Sequence, residues 1–174
     1  MGLEWKWRSG QQFSEPWPIP KIAENIKYGL PSFLNNPSPS TCDQKCGLLV
    51  YSQMIRDFGW KCQHQVFTSY QEDEMSGNNL PVSDADKINQ WVIRFSQTVN
   101  YNLVPLFGDF WKWPLTTSTK NTLSSLTPYL PDDVITQKPE AQSLVQKILA
   151  KYPNIKRSVS SLPDCPRFRL EYMN

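Results

Sequence analysis

An apolar stripe at helical spacing between residues 84 and 99 is the strongest constraint on the fold. Its members recur every three or four positions: Ile88, Trp91, Val92, Phe95 and Val99. This spacing places them on one face of an amphipathic α-helix. Ser83 precedes the stripe as a candidate N-cap, and Asp84 and Asp86 fall in the first turn, where the helix dipole favours negative charge. The sequence therefore predicts a helix that buries one face.

Two further helical patterns precede this stripe. Thr41 and Gln44 have capping-box spacing, in which hydroxyl and amide each satisfy a free backbone N–H. Apolar residues then recur at helical spacing: Leu48, Tyr51, Met54, Ile55 and Phe58. Gly59 is a natural left-handed stop for this helix. A second helix is predicted directly after it and ends in a polar loop over residues 72–79. The face of this second helix is predicted to carry Val66, Phe67 and Tyr70.

The second half of the chain predicts three more helices. Asn102 can cap the first of them, with Pro105 in its first turn, where a missing N–H does little harm. Pro114 disfavours helical geometry at the residue before it, so this helix should end by then. A short helix follows Ser118, and a longer one runs from Pro139 to Lys151. The residues that this last helix is predicted to bury are Ala141, Leu144, Val145, Ile148 and Leu149.

The overall prediction is a mainly α fold. No run alternates apolar and polar residues long enough for a central strand, and only residues 167–172 could form one edge strand. Residues 1–39 predict an irregular leader rich in Trp and Pro, with a short helix over residues 21–28. Residues 40–174 are expected to form a multi-helix lobe.

Composition excludes several classes of function. Lys and Arg number 18 against 16 Asp and Glu, so there is no electrostatic case for nucleic-acid binding. The chain has 7 Trp, 7 Tyr and 8 Phe, which is too aromatic for a disordered protein. No apolar stretch is long enough to predict a transmembrane segment, and no export signal is predicted. The expected location is the cytoplasm; peripheral attachment at the plasma membrane and, for a fragment, secretion are the alternatives.

A single histidine, His64, limits the chemistry that the chain can carry. Cys62 lies two residues away, and on a helix such neighbours do not face each other, so no catalytic residues are predicted. A structural zinc site is the open alternative. Its ligands would be Cys42, Cys46, Cys62 and His64. The favoured interpretation is small semi-buried thiols and an exposed histidine. Acidic residues at 72–74 and 132–133 are interpreted as solvated loop charge and turn or cap chemistry.

Aromatic and proline landmarks follow one another from residue 58 to residue 114. They are Phe58-Gly59-Trp60, Val66-Phe67 with Tyr70, the stripe with Trp91 and Phe95, the run from Asn102 to Phe107, and Trp111-Lys112-Trp113-Pro114. This succession resembles the closing helical part of the M60-like (enhancin-type) zinc metallopeptidase domain, in the version found in TRP-channel-associated factors. The resemblance covers roughly residues 41 to 133 and consists of packing positions, which argue for fold more than for activity. The family's zinc-binding His-Glu-x-x-His helix needs two histidines, and this sequence has one.

The resemblance implies a helical lobe that closes a peptidase cleft, with Trp60 and Trp113 as core or interlobe residues. The family cleaves glycoproteins such as mucins, and the channel-associated factors bind a membrane channel and promote its surface delivery. We therefore expect a non-catalytic interaction module without a cofactor, whose protein partner is the missing catalytic lobe, a membrane channel or a glycoprotein. The alternative is the C-terminal portion of a zinc metallopeptidase whose catalytic half lies outside this chain; zinc would belong only to the complete enzyme. The residues predicted to pack or interact are Trp5, Trp7, Phe58, Trp60, Trp91, Phe95, Trp111 and Trp113.

Overall fold

The described part of the chain is mainly helical, as the sequence predicts. A computed structural model describes residues 33–38, 44–78 and 80–159. Its elements are α1 (Gln44–Met75), α2 (Asp84–Val99), a π-helix (Pro105–Phe110), α3 (Thr117–Thr122), a 3₁₀ turn (Pro139–Ala141) and α4 (Gln142–Lys151). These residues contain isolated β-bridges but no strand. None of their helices combines the length and apolar character that crossing a bilayer would require.

Gly59 divides the long helix α1 into two halves. Its φ of 79° and ψ of 166° lie outside the helical region, in a part of conformational space that is essentially restricted to glycine. The predicted break at Gly59 is therefore confirmed as a kink, after which the helix resumes at once. The second half extends to Met75, into the segment predicted as a polar loop. The predicted cap Thr41 lies outside the described residues.

The predicted apolar face of α1 is confirmed at Met54, Phe58 and Val66, whereas Tyr51 and Ile55 are half-buried and the side chain of Leu48 lies outside the described residues. Leu49, Val50, Met54, Phe58, Cys62 and Val66 are buried. Phe67 was predicted to share the buried face of Val66, and this is wrong, because 53% of Phe67 is exposed. Successive residues on an α-helix point about 100° apart, so adjacent side chains do not share a face. Tyr70, one turn after Val66, packs against the core.

Helix α2 forms as predicted. The backbone N–H of Asp86 donates to Oγ of Ser83 at 3.1 Å, and the Ser83 hydroxyl donates to the Asp86 carboxylate at 2.6 Å. The helix ends at Asn100 in the left-handed conformation, with φ 58°. Its apolar stripe is buried at Trp91, Val92, Phe95 and Val99, with Ile88 half-buried.

Aromatic side chains join α1 to α2. Phe58 meets Phe95 with ring centroids 6.1 Å apart, and Tyr51 meets Trp91 edge-on at 5.4 Å. Each such pair stabilises by about 0.5–1.5 kcal/mol beyond the area it buries. At the open end of this interface, Arg94 lies over the Tyr70 ring and donates to the carboxylate of Asp73. The two helices are therefore held together by aromatic pairs in the core and by the Arg94 guanidinium near solvent.

The helix predicted after Asn102 is a π-helix instead of an α-helix. Asn102 does act at its start, because its Oδ1 accepts the backbone N–H of Val104 at 2.9 Å. The N–H of Trp111 donates five residues back to the carbonyl of Leu106 at 2.9 Å, which is the π pattern. The element ends at Phe110, before Pro114 as predicted. Its apolar side chains, together with the flanking residues, are almost all buried: Leu103, Val104, Leu106, Phe107, Phe110 and Trp111.

The remaining elements also match the prediction in kind. Thr116 caps α3 by accepting the N–H of Thr119 at 3.1 Å, two residues before the predicted start. The helix predicted over Pro139 to Lys151 begins with a 3₁₀ turn and continues as α4. Ala141, Val145 and Ile148 are buried, whereas Leu144 and Leu149 are half-buried. The leader helix over residues 21–28 and the edge strand over residues 167–172 lie outside the described residues.

Candidate functional site: a buried polar cluster beside a cleft

Three polar side chains of α1 take part in a cluster inside the protein. Gln53, Arg56 and Asp57 are three and four residues apart and so share one face of the helix. Gln53 and Asp57 are buried, and Arg56 keeps 32% of its side chain exposed. The indole Nε1 of Trp111 donates to Gln53 Oε1 at 2.9 Å, and Gln53 Nε2 donates to Asp133 Oδ2 at 2.6 Å. The cluster thus ties the first half of α1 to two distant parts of the chain.

Asp133 is the acceptor at the centre of this cluster. Its Oδ1 accepts the backbone N–H groups of Ile135 and Thr136, both at 2.9 Å. Its Oδ2 accepts from Gln53 and from Arg56 Nη1, the latter at 3.0 Å. Four donors offset the cost of burying a carboxylate. The sequence interpretation as cap chemistry is correct for Asp133, but the interpretation as solvated charge is wrong, because the residue is only 5% exposed.

Arg56 and Asp57 form a bidentate ion pair, and the Tyr129 hydroxyl adds a hydrogen bond to the Asp57 carboxylate. Arg56 Nε and Nη2 donate to the two Asp57 oxygens at 2.5 and 2.7 Å, and the Tyr129 hydroxyl donates to Asp57 Oδ2 at 2.8 Å. Burial and the adjacent Asp57 carboxylate raise the pKa of Tyr129, so the phenol keeps its proton. Burial opposes the charge on Arg56, but Asp57 and Asp133 outweigh it and the pKa of Arg56 rises. Arg56 and Tyr129 therefore hold their protons firmly near neutral pH.

A cleft of about 440 Å³ opens beside the cluster. It is shallow and largely open to solvent. The Arg157 guanidinium donates from Nη2 to Asp132 Oδ1 at 3.0 Å, and this bond lowers the pKa of Asp132. Arg157 Nη1 is buried and has no hydrogen-bond partner. The cleft is lined by Arg56, Asp57, Tyr129, Asp132, Arg157, Ser158 and Val159.

Backbone hydrogen bonds attach residues 156–157, at one wall of the cleft, to residues 128–132. The N–H of Lys156 donates to the carbonyl of Pro128 at 2.8 Å, and the N–H of Leu130 donates to the carbonyl of Lys156 at 3.0 Å. Further along, the N–H of Asp132 donates to the carbonyl of Arg157 at 2.9 Å. On the other side of residues 128–132, Asn102 forms a parallel bridge with Pro128. Among the described residues, Asn102, residues 128–132 and residues 156–157 therefore lie side by side, joined by two isolated bridges.

This arrangement suits binding better than bond cleavage. The cleft side chains that could donate or accept a proton are mostly engaged in ion pairs, and none is a nucleophile held by a base. The charges largely compensate one another, because each arginine meets a carboxylate directly. What remains available is hydrogen-bonding capacity at the outer wall.

The proposed zinc ligands are only partly described. Cys62 is fully buried and disulfide-bonded, whereas His64 is half-buried on α1, with its ring 6.4 Å from the ring of Trp60. Cys42 and the side chain of Cys46 lie outside the described residues. Within the described ranges, no group of three His, Cys, Asp or Glu side chains could hold a metal ion. The four-ligand site stays a prediction, and it needs Cys62 as a thiolate instead of a disulfide sulfur.

The aromatic landmarks fall into three groups. Phe58, Trp91, Phe95 and Trp111 are buried. Trp113 is half-buried against Phe107, with ring centroids 4.6 Å apart. Trp60, expected to be a core or interlobe residue, directly follows the Gly59 kink and is 44% exposed. Trp5 and Trp7 lie outside the described residues.

The cluster and the cleft were not found from the sequence. Two signals point to parts of them. Asp133 and Thr136 have the spacing of a local cap, and Gln53, Arg56 and Asp57 stand in an otherwise apolar helical stripe. Neither signal shows that Gln53 and Asp133 are in contact, since 80 residues separate them.

Comparison with known proteins places these elements in a family context. The family model for Peptidase M60, enhancin and enhancin-like proteins matches residues 25–111, which is half of the chain. That range includes α1, α2 and the π-helix, whereas Tyr129, Asp133 and Arg157 lie beyond it. No solved structure matches the chain.

Several curated relatives of the chain are named TRPM8 channel-associated factors. TRPM8 channel-associated factor 3 of Mus musculus is 38% identical over 104 residues, which is 59% of this chain and 10% of that protein. TRPM8 channel-associated factor 1 of Homo sapiens is 39% identical over 85 residues, 49% of this chain and 8% of the relative. The homolog from Xenopus laevis is 39% identical over 79 residues, 45% of this chain and 8% of the relative. The chain thus spans about a tenth or less of the length of these relatives.

Proposed function

Because this chain belongs to the Peptidase M60, enhancin and enhancin-like family, we propose that it is a non-catalytic protein-interaction module built on a helical lobe of that family. The sequence supports this, since one histidine cannot form the His-Glu-x-x-His pair of the family's zinc helix. The retained core supports it as well, because the landmarks buried in α1 and α2 preserve a scaffold independently of any metal chemistry.

The observation that carries the proposal is the exposure of Phe67 on the second half of α1. Its side chain is 53% exposed, and beyond it Met75 and Val82 are each 87% exposed. Phe67 and Met75 lie on the same helix and Val82 in the segment after it, and exposed large apolar side chains are candidates for an interaction surface. An aromatic side chain is a favourable anchor, because it contributes a large contact area at a low entropic cost. We refer to Phe67, Met75 and Val82 as the α1-end surface.

We propose a TRPM8-type channel or a protein of its complex as the partner of the α1-end surface. The support is that the relatives are named TRPM8 channel-associated factors. With such a partner, the module would act in the cytoplasm at the plasma membrane. A glycoprotein partner is the competing outcome.

Co-precipitation from cells that express the channel tests this proposal. Phe67→Ser should lower recovery of the channel several-fold, because it removes an exposed aromatic anchor without opening the core. Val134→Ser is the matched control, since Val134 is also apolar and 41% exposed but lies on a different element. Equal recovery with both variants would remove the α1-end surface from consideration, and no recovery with the unaltered chain would exclude the channel.

A second candidate is the C-terminal portion of a zinc metallopeptidase whose catalytic half lies outside this chain. The family match supports it, because the model describes peptidases. The coding sequence upstream of Met1 should then contain a His-Glu-x-x-His segment in frame. Chelator-sensitive cleavage of a mucin-type glycoprotein by the 174-residue chain alone would contradict the non-catalytic proposal.

A further inference from the structure

Cys62 lies in a disulfide whose second sulfur can be identified from the geometry of α1. The Cys62 side chain is fully buried and its sulfur is bonded. The chain has 4 Cys, so the candidate partners are Cys42, Cys46 and Cys165. A disulfide requires Cα atoms within about 7 Å of each other, and this limit separates the three candidates.

The helical rise of α1 excludes Cys46 as the partner. Apart from Gly59, the residues of α1 are helical, and a rise of about 1.5 Å per residue places Cys46 about 18 Å from Phe58 along the axis. Cys62 follows Phe58 by about one helical turn, so even a complete reversal at Gly59 leaves roughly 10 Å or more between the two Cα atoms. Cys42 precedes the start of the helix and so begins from a point still further away.

The described part of the chain ends on the side of the molecule that Cys165 needs. Val159 packs against the core and lines the cleft together with Arg56, and Arg56 lies six residues before Cys62 on α1. Cys165 follows Val159 by six residues, a segment that spans up to about 20 Å when extended. Cys165 is therefore the cysteine that reaches Cys62 while α1 stays intact.

We propose that Cys62 and Cys165 form a redox-sensitive disulfide that fastens residues 160–174 to the second half of α1. Pro163 and Pro166 flank Cys165, and the fixed φ of each proline limits the conformations from which the thiol closes the bond. The bond closes a loop of roughly 100 residues, and the constraint that a disulfide places on the unfolded chain grows with loop length. The inference does not depend on the α1-end surface or on a channel as partner.

Formation of the bond needs a two-electron oxidant, and a small-molecule disulfide such as oxidised glutathione supplies it. Because Cys62 is fully buried, the Cys165 thiolate reacts first, attacking one sulfur of the oxidant and releasing one glutathione. The Cys62 thiolate then displaces the second glutathione from the mixed disulfide. Overall one S–S bond is broken and one is formed, and the protons of the two protein thiols pass to the two released glutathione thiolates. A dithiol reductant reverses both steps and frees the segment.

Peptide mapping without reduction tests the pairing directly, because trypsin places each cysteine in a separate peptide. The unaltered 174-residue chain is incubated with oxidised glutathione, its free thiols are blocked with N-ethylmaleimide, and it is then digested. Mass spectrometry should find residues 62–87 joined to residues 158–167, and reduction should separate the two peptides.

A variant and its control test whether the bond holds the segment. Cys165→Ser should lower the melting midpoint of the oxidised protein by roughly 5–10 °C. It should also make tryptic cleavage after Arg167 in the native protein several-fold faster, because the segment is no longer held. Cys46→Ser is the matched control and should retain the midpoint and the cleavage rate of the unaltered oxidised chain. Reduction of the unaltered chain should reproduce the changes seen in Cys165→Ser.

Four results would overturn the inference. Residues 62–87 joined to residues 28–45 or 46–56 would assign Cys62 a different partner, and a disulfide-linked dimer on a non-reducing gel would place the bond between two chains. A free Cys62 thiol after oxidation would remove the bond, and equal cleavage rates in the oxidised and reduced chain would show that the bond does not hold the segment. Mapping uses the unaltered chain, so the pairing is tested even if Cys165→Ser does not fold. Recovery of the channel with Phe67→Ser is a separate measurement, so the two proposals fail separately.

Discussion

Gln53 and Trp111 meet in the core although 58 residues separate them, with the indole Nε1 2.9 Å from the Gln53 amide oxygen. The same side chain donates from its nitrogen to Asp133. The buried Gln53 amide therefore accepts a hydrogen bond from Trp111, directly after the π-helix, and donates one to Asp133. Both ends of this amide are used, so its orientation is fixed by its neighbours.

Replacing this amide by an apolar group should be costly. Gln53→Leu leaves Trp111 Nε1 without its acceptor and removes one donor from the Asp133 carboxylate. The expected loss is about 2–4 kcal/mol in the free energy of unfolding, because two buried polar groups lose a partner. Urea denaturation measures it, with Gln71→Leu on the exposed side of α1 as the control. A loss below about 0.5 kcal/mol would show that water replaces the amide.

Trp91 should be the most costly single truncation in α2. Only 9% of it is exposed, and its ring contacts Phe95 at 4.9 Å and Phe107 at 5.4 Å. Trp91→Ala should lower the unfolding free energy by about 3–5 kcal/mol, since the lost transfer energy and the cavity add. Trp60→Ala should cost much less, because 44% of Trp60 already faces solvent. Thermal melting measures both variants, and equal falls in their midpoints would contradict this expectation.

The kink at Gly59 predicts that replacing this glycine by alanine lowers the stability of the protein. With φ 79° and ψ 166°, an added Cβ makes the backbone conformation unfavourable, and Gly59→Ala should cost about 1–3 kcal/mol. Gly77, with φ 70° and open space around it, is the matched control. Gly77→Ala should cost about 1–2 kcal/mol. If Gly59→Ala were stabilising in urea denaturation, as alanine is inside a regular helix, α1 would be continuous in solution.

Local patterns predicted the helices well because they depend on neighbouring residues. The Ser83 cap, the α2 stripe and the break at Gly59 each follow from spacing within a few positions. The exposed Phe67 was placed wrongly because it was assigned to the face of its neighbour Val66. The Asp133 cluster was not predicted, since its geometry needs contacts between residues far apart in sequence, and a carboxylate in a polar run looks solvated until those contacts are known. The cleft depends on the return of residues 155–159 to residues 128–132, which no short pattern encodes.

The Arg157–Asp132 pair predicts a measurable pH dependence. Arg157 holds the pKa of Asp132 below its ordinary value. A carboxyl with a lowered pKa in the folded state contributes stability above its unfolded pKa of about 3.9, and this contribution is lost as the pH falls through the folded value. Arg157→Met should return the Asp132 pKa towards the ordinary value in a carboxyl-carbon NMR titration. An unchanged titration would show that Arg157 and Asp132 do not pair in solution.

Zinc content should depend on the redox state of Cys62. The buried sulfur of Cys62 is in a disulfide, and only a thiolate serves as a zinc ligand. If Cys42, Cys46, Cys62 and His64 form a site, protein purified under reducing conditions should bind about one zinc ion, and oxidised protein none. Elemental analysis of both forms decides this, with His64→Gln as the ligand control and Lys61→Gln, on the exposed side of α1, as the neutral change. Zinc below about 0.1 per chain in the reduced protein would exclude the site.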